Sequence, residues 1–169
     1  MLMIFGGLPG VGKTTIARNL AGRSAACYGR IDSIEQSIRG SKWGEEPLDD
    51  VGYRVGYAVA EENLRLGRTV IADFVNPLGI TRDTWMEMAK PAGVGALEVE
   101  IVCSDANEHR KRLELRATDI SGLRPLGWQE VMAREYQAWE REPVVIDTSR
   151  CSVDESVQLL LAALGSYNA

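Results

Sequence analysis

The chain is sparing in residues that often carry chemistry unaided. Its single histidine, His109, stands among the charges of a predicted helix and reads as an exposed helix residue, not as a catalyst. The three cysteines, Cys27, Cys103 and Cys151, are odd in number and scattered without metal-type spacing, which points to small buried or reduced thiols of a cytoplasmic protein. No apolar run approaches the roughly 20 residues of a membrane span. The N-terminal apolar stretch leads directly into a glycine-rich loop, so it reads as a first strand and not as a cleaved leader. Positive charge is not in excess either. Lys and Arg number 19 against 24 Asp and Glu, and the net charge of −5 opposes a general nucleic-acid or anionic-membrane binder while permitting a local basic cleft. With 45% hydrophobic and 25% charged residues, the 169-residue chain is expected to form one globular domain, 1–169, with a core that needs no staples. Nothing in the composition fixes an oligomeric state.

What is present is concentrated near the start. Gly7-Leu8-Pro9-Gly10-Val11-Gly12-Lys13-Thr14 has glycine, four free positions and then Gly-Lys-Thr, the spacing of a phosphate-binding loop. The apolar run Leu2-Met3-Ile4-Phe5 before it fits a buried parallel strand, and Thr15 to Ala21 after it reads as a helix. Gly10 and Gly12 let successive backbone N–H groups turn inward on a phosphate chain. Lys13 brings a charge to the terminal phosphates, the hydroxyl of Thr14 or Thr15 can ligate Mg²⁺, and the helix start adds its positive dipole end. A nucleoside triphosphate with Mg²⁺ is the expected ligand.

Downstream, apolar strands alternate with helical patterns, the signature of a parallel sheet with crossover helices. A weaker second strand spans 26–32 and ends in Asp32; a short helix, 33–39, follows. The spacing predicts a helix over 49–66 with Val51, Val55, Ala58 and Val59 on its apolar face. The run 69–73 is a buried strand ending in Asp73, and 81–90 is helical. The alternation over 97–103 suits a strand near the sheet edge. A basic helix, 105–116, precedes a Gly/Pro-containing loop, 119–126. The pattern then predicts a helix over 128–139, a last strand 144–147, and a final helix opened by a Ser152–Glu155 capping box. Five strands and about seven helices suit one doubly wound α/β domain of the P-loop type.

Two further absences bear on the class of chemistry. No Asn-Lys-x-Asp stretch exists to read a guanine base. Asp73 is followed by Phe74 rather than by the Glu that orients water in ATP-hydrolysing motors, which favours transfer to a bound acceptor over transfer to water. Phosphate loop, Asp-ending second and third strands, arginine-rich helix before a loop, and the closing Val145-Ile146-Asp147-Thr148 together resemble the small P-loop kinases. That group includes adenylate, gluconate, shikimate and adenylyl-sulfate kinases, chloramphenicol phosphotransferase, and predicted kinases of the AAA_33 type. Asp73-Phe74-Val75-Asn76-Pro77, Arg82-Asp83 and the final strand are most similar to adenylyl-sulfate kinase, but Arg30 to Ile34 do not match that family's acidic segment. The acceptor therefore does not carry over.

The resemblance implies a nucleoside-monophosphate-kinase-like five-stranded sheet with a helical lid at about 105–126. It implies an ATP-dependent phosphotransferase acting on a small-molecule hydroxyl or similar acceptor. In its terms Asp32 takes the acceptor's proton, or merely caps the next helix with Glu35. Asp73 holds Mg²⁺ beside Thr14, or is a buried hydrogen-bonding carboxylate or helix cap, or itself takes the substrate's proton, since it and Asp32 flank the same cleft. Arg112, Arg116 and Arg124 close over the phosphates, or belong to a solvated face paired with Glu108 and Glu114. Thr148 and Ser149 run beside the adenine, or form a plain turn after the last strand. Arg39, Asn76 and Arg82, with Trp43, Tyr53 and Tyr57, lie where the acceptor pocket should form, although the aromatics fit core positions as well. The alternatives are a nucleotide or polynucleotide kinase and an ATP-binding regulatory module with slow hydrolysis.

Overall fold

Strand β1 (Leu2–Gly6) sits at the centre of the molecule because it is apolar on both faces. In the computed structural model, which describes residues 1–42 and 47–167, five parallel strands are ordered β2-β3-β1-β4-β5. The others are β2 (Cys27–Arg30), β3 (Val70–Asp73), β4 (Ala96–Val102) and β5 (Val144–Asp147). Among the described residues six helices lie between the strands, α1 (Lys13–Ser24), α2 (Ile31–Arg39), α3 (Val51–Arg65), α4 (Gly79–Ala89), α5 (Ala106–Leu115) and α6 (Trp128–Met132), and α7 (Val153–Tyr167) follows the last.

Successive β1 side chains feed opposite layers. Met3 and Phe5 pack with Ile16 and Leu20 of α1 and Val157, Leu160 and Leu164 of α7. Leu2 and Ile4 pack with Ala60 and Leu64 of α3 and Trp85 and Ala89 of α4. The register aligns the strands' carboxyl ends: Phe5 lies opposite Asp73, Asp73 opposite Arg30, and Val102 opposite Asp147. This is the edge at which ligands bind in open α/β sheets. The Ser152–Glu155 box opens α7 as the spacing predicts, with Glu155 accepting from the Ser152 N–H at 2.8 Å.

Three local expectations are corrected. The buried face of α3 is not the valine face; it is Gly52, Gly56, Ala60 and Leu64, while Val51, Val55 and Val59 are exposed. A Cβ on Gly56 would collide with the Phe74 ring, and one on Gly52 would come within 2.6 Å of Glu35, so helix, sheet and α2 approach more closely than valine allows. Strand β2 ends at Arg30, which puts Asp32 in the first turn of α2. Finally, the helix expected over 128–139 stops at Met132. Beyond it the chain is irregular, because tertiary contacts claim its backbone: Gln137 N–H donates to the Pro77 carbonyl at 2.8 Å.

Arg82 of α4 completes that capture. It is 1% exposed, and a guanidinium so deeply placed must have its donors met. They reach the carbonyls of Leu78, Pro77, Gln137 and Ala138, while the guanidinium carbon lies 4.5 Å from the centre of the Trp139 ring.

Candidate active site

The loop of residues 7–14 lies over the carboxyl end of β1. Gly7 donates its N–H to the Val75 carbonyl at 3.1 Å, and a Cβ there would collide with the Ile101 carbonyl oxygen. Gly10 and Gly12 have φ of 89° and 103°, a region that strains residues with a Cβ. Lys13 opens α1, is 8% exposed, and rests its ammonium on the Leu8 carbonyl at 3.0 Å. Burial lowers its pKa from 10.5 to about 8, against the attraction of Asp73 and Asp32. Both carboxylates therefore lie within electrostatic reach of the lysine.

A second brace comes from α5. His109 is 5% exposed, contrary to the surface position expected from its charged neighbours. Its Nε2 lies 2.8 Å from the Pro9 carbonyl, and since a carbonyl only accepts, Nε2 carries the proton. The imidazole also meets Trp128 edge to face, with centroids 5.0 Å apart. Sequence reasoning misses this residue because its charged neighbours face outward while it faces in.

Asp73 is buried at the end of β3 and accepts a hydrogen bond from the Tyr28 hydroxyl at 2.7 Å. Burial and the adjacent carboxylate push the Tyr28 pKa up, so the phenol remains a donor and engages one carboxylate oxygen. Asp32 receives Arg30 and Arg116, each at 3.3 Å. The alternative of a helix cap is not realised: Arg30 is the N-cap of α2, and no side chain caps it.

The arginines separate. Arg112 donates to Glu108 at 2.9 Å and also to the hydroxyl and carbonyl of Thr148, at 2.8 and 3.1 Å. The Thr148 hydroxyl in turn donates to the Val11 carbonyl at 2.8 Å, tying β5's exit to the phosphate loop. Gly12, Thr15, Arg112, Thr148, Cys151 and Ser152 line a cavity of about 340 Å³. Ser149 does not line that cavity; it hydrogen-bonds Asp147 at 2.7 Å. Arg124, expected over the phosphates, is highly exposed and pairs instead with Glu130 at 2.5 Å. Arg110 pairs with Glu114.

Of the residues expected at the acceptor pocket, Asn76 and Arg82 are structural. Asn76 is fully buried at φ 46°, where asparagine is tolerated. Its amide joins the Phe5 carbonyl to the Trp85 indole N–H. Arg82 is spent on the four carbonyls described above. Tyr53 and Tyr57 pack in an aromatic cluster with Phe74 and Trp85. Arg39 is exposed in the last turn of α2, and Trp43 lies outside the described residues. Linked to Asp32 by ion pairs or by charge are Arg18, Arg30, Glu35 and Asp119, to none of which the sequence gives an acceptor-binding role. Burial raises the Glu35 pKa against the pull of Arg39.

Residues 2–125 match the protein family described as AAA domain. No curated protein sequence matches the chain. Among solved structures, Kti12 from Chaetomium thermophilum, in complex with ADP-AlF3, superposes with a TM-score of 0.74 at 18% identity, covering 100% of both chains. The adenylyl-sulfate (APS) kinase CysC of Mycobacterium tuberculosis, in complex with AMPPNP and APS, gives 0.70 at 19% identity, over 97% of this chain and 96% of that one. A gluconokinase from Sinorhizobium meliloti gives 0.67 at 19%, over 97% and 91%. At such identities the likeness establishes the fold, while the family match takes in the whole phosphate loop and most of the chain. The chain belongs to the AAA domain family, and its fold is that of the small P-loop kinases.

Proposed function

We propose that the protein is an ATP-dependent phosphotransferase that moves the γ-phosphoryl group to a hydroxyl or similar group on a small molecule. The observation that carries this reading is the convergence of Lys13, Asp73 and Asp32 at the mouth of the phosphate loop, with the buried ring of Phe74 where a hydrolase would place a second carboxylate. The loop amides and Lys13 hold the phosphates, and the cavity beside Gly12, Arg112 and Thr148 takes the base. Asp32 accepts the proton of the attacking hydroxyl, and Arg112 and Arg116 meet the charge that develops on transfer.

Mg²⁺ suits the donors present. Asp73 has one oxygen engaged by Tyr28 and one to offer, and the half-buried Thr14 hydroxyl follows the loop lysine. Thr14 and Asp73 are the residues that would hold it, and the ion would neutralise phosphate charge. The test is ADP release on a panel of small hydroxyl compounds, with product phosphorylation confirmed by mass. Acceptor-dependent ADP release well above basal hydrolysis supports the reading. A panel that leaves only slow hydrolysis favours a regulatory ATP-binding module, and transfer to nucleotides or oligonucleotides alone favours a nucleotide or polynucleotide kinase.

A further inference from the structure

Arg30 ends β2 at 4% exposure, and its charge is compensated from two directions. Asp32 lies 3.3 Å from Nη2, and Asp119, from the loop after α5, lies 2.9 Å from Nη1. The other oxygen of Asp119 meets Arg18 of α1 at 2.5 Å. The Asp119 carboxylate thus spans two guanidiniums, one half-exposed and one forming a buried floor. Even so, the cradle has donor capacity left: among the described residues Arg30 Nε is buried without a hydrogen-bond partner. Buried polar atoms are rarely left this way unless a ligand or water completes them.

The occupant is loosely founded. Asp119 sits in the 116–127 segment, which has no helix or strand, and its side chain is about half-exposed. The loop leans on α2 at Gly122, next to the Gln36 amide. Its carboxyl group is held well below the usual carboxylate range by the hydrogen bonds from Arg30 and Arg18, so the cradle favours an anion. The cradle also adjoins Asp32, the proposed proton acceptor, which Arg30 and Arg116 neutralise while Asp119 is seated.

We propose that Arg18 and Arg30 form a subsite for a carboxylate or phosphate group on the phosphoryl acceptor, and that Asp119 is a tethered stand-in for that group. This rests on the phosphotransferase reading. Binding of an anionic acceptor displaces Asp119, frees the loop from α1 and β2, and places the acceptor's remaining atoms beside Asp32. A tethered competitor acts at a high effective concentration, so it weakens apparent affinity for any free anion without blocking the site.

The experiment loads the protein with a non-hydrolysable ATP analogue, filling the phosphate loop, and then titrates inorganic phosphate or acetate while following the arginine side-chain N–H signals by NMR. Failure of the analogue to bind would sink the nucleotide reading before any anion is added, so the two failures are distinguishable. Asp119→Asn is expected to bind at least one of the anions about tenfold or more tighter than the parent, and adding Arg18→Gln should abolish the gain. Preference for phosphate would mark a phosphorylated acceptor; preference for acetate would mark a carboxylic acid. Equal affinity in the parent and Asp119→Asn, or a gain that survives Arg18→Gln, would overturn the proposal and leave Asp119 a structural latch. Arg18 is half-exposed, so its variant tests the cradle without emptying a buried position.

Discussion

Lys13 makes nucleotide binding a proton-linked reaction. In the free protein its pKa is lowered to about 8 by burial, from an ordinary 10.5. Bound phosphates supply the countercharge that burial removed, so the complex holds the proton far more tightly. The signs are opposite for the two processes. Folding favours the neutral amine, so the free protein gains stability as pH rises from about 8 towards 10.5. Nucleotide binding requires the ammonium, so affinity falls over the same window. If the bound lysine regains its ordinary pKa, linkage gives affinity roughly eightfold weaker at pH 9 than at pH 7.5, with uptake of about 0.9 proton per nucleotide at pH 9. Calorimetry in two buffers of different ionisation enthalpy reads both quantities, above the range in which the nucleotide itself titrates. Lys13→Arg stays charged and should show a flat profile, whatever its absolute affinity. A dissociation constant unchanged between pH 7.5 and 9, with heats independent of buffer, would refute the reasoning.

Other outcomes follow from the packing and the site. Gly56→Ala should destabilise by about 1–2 kcal/mol net, since overpacking against Phe74 outweighs a helix-propensity gain of about 0.5–1 kcal/mol; a thermal midpoint lowered by roughly 2–8 °C checks it. Gly22→Ala, with nothing near the added Cβ, should raise the midpoint instead, and equal shifts for the two variants would contradict the close-approach argument. Arg82→Leu removes the guanidinium that ties together the carbonyls of Pro77, Leu78, Gln137 and Ala138 and should cost more than about 3 kcal/mol in urea unfolding, with Arg82→Lys giving little rescue. Asp32→Asn should lower acceptor phosphorylation about 10²-fold while leaving analogue affinity nearly unchanged; normal turnover would remove it from the chemistry.

The parts legible from the sequence are those encoded locally. A phosphate loop needs its glycines and lysine at fixed spacing, and a sheet buried on both faces needs apolar strands, so loop and topology could be read without tertiary information. The misread parts depend on partners distant in sequence. A valine stripe looks like a helix core face, yet α3 buries Gly52 and Gly56 because Phe74 and Glu35 come too close for anything larger. Asn76 and Arg82 have the chemistry of ligand-binding residues, and only the contacts with Phe5, Trp85 and residues 137–138 show that they support the fold. Arg18 and Asp119 lie far apart in the chain, and their pairing had no local signal.

The anchoring of α5 has a consequence for how the crevice opens. His109 and Leu113 lock that helix beneath the phosphate loop, so its body cannot swing with the segment that follows. The stiff part ends at Leu115, and the pivot falls on Arg116, which is tethered to Asp32. Between there and α6 the only other basic residue, Arg124, precedes Pro125, a bond trypsin leaves uncut. The Arg116–Ala117 bond is therefore the one tryptic site in the segment. Its rate of cleavage counts how often Arg116 lets go, and nucleotide or acceptor binding can be read from the fragments that end at Arg116 and begin at Ala117.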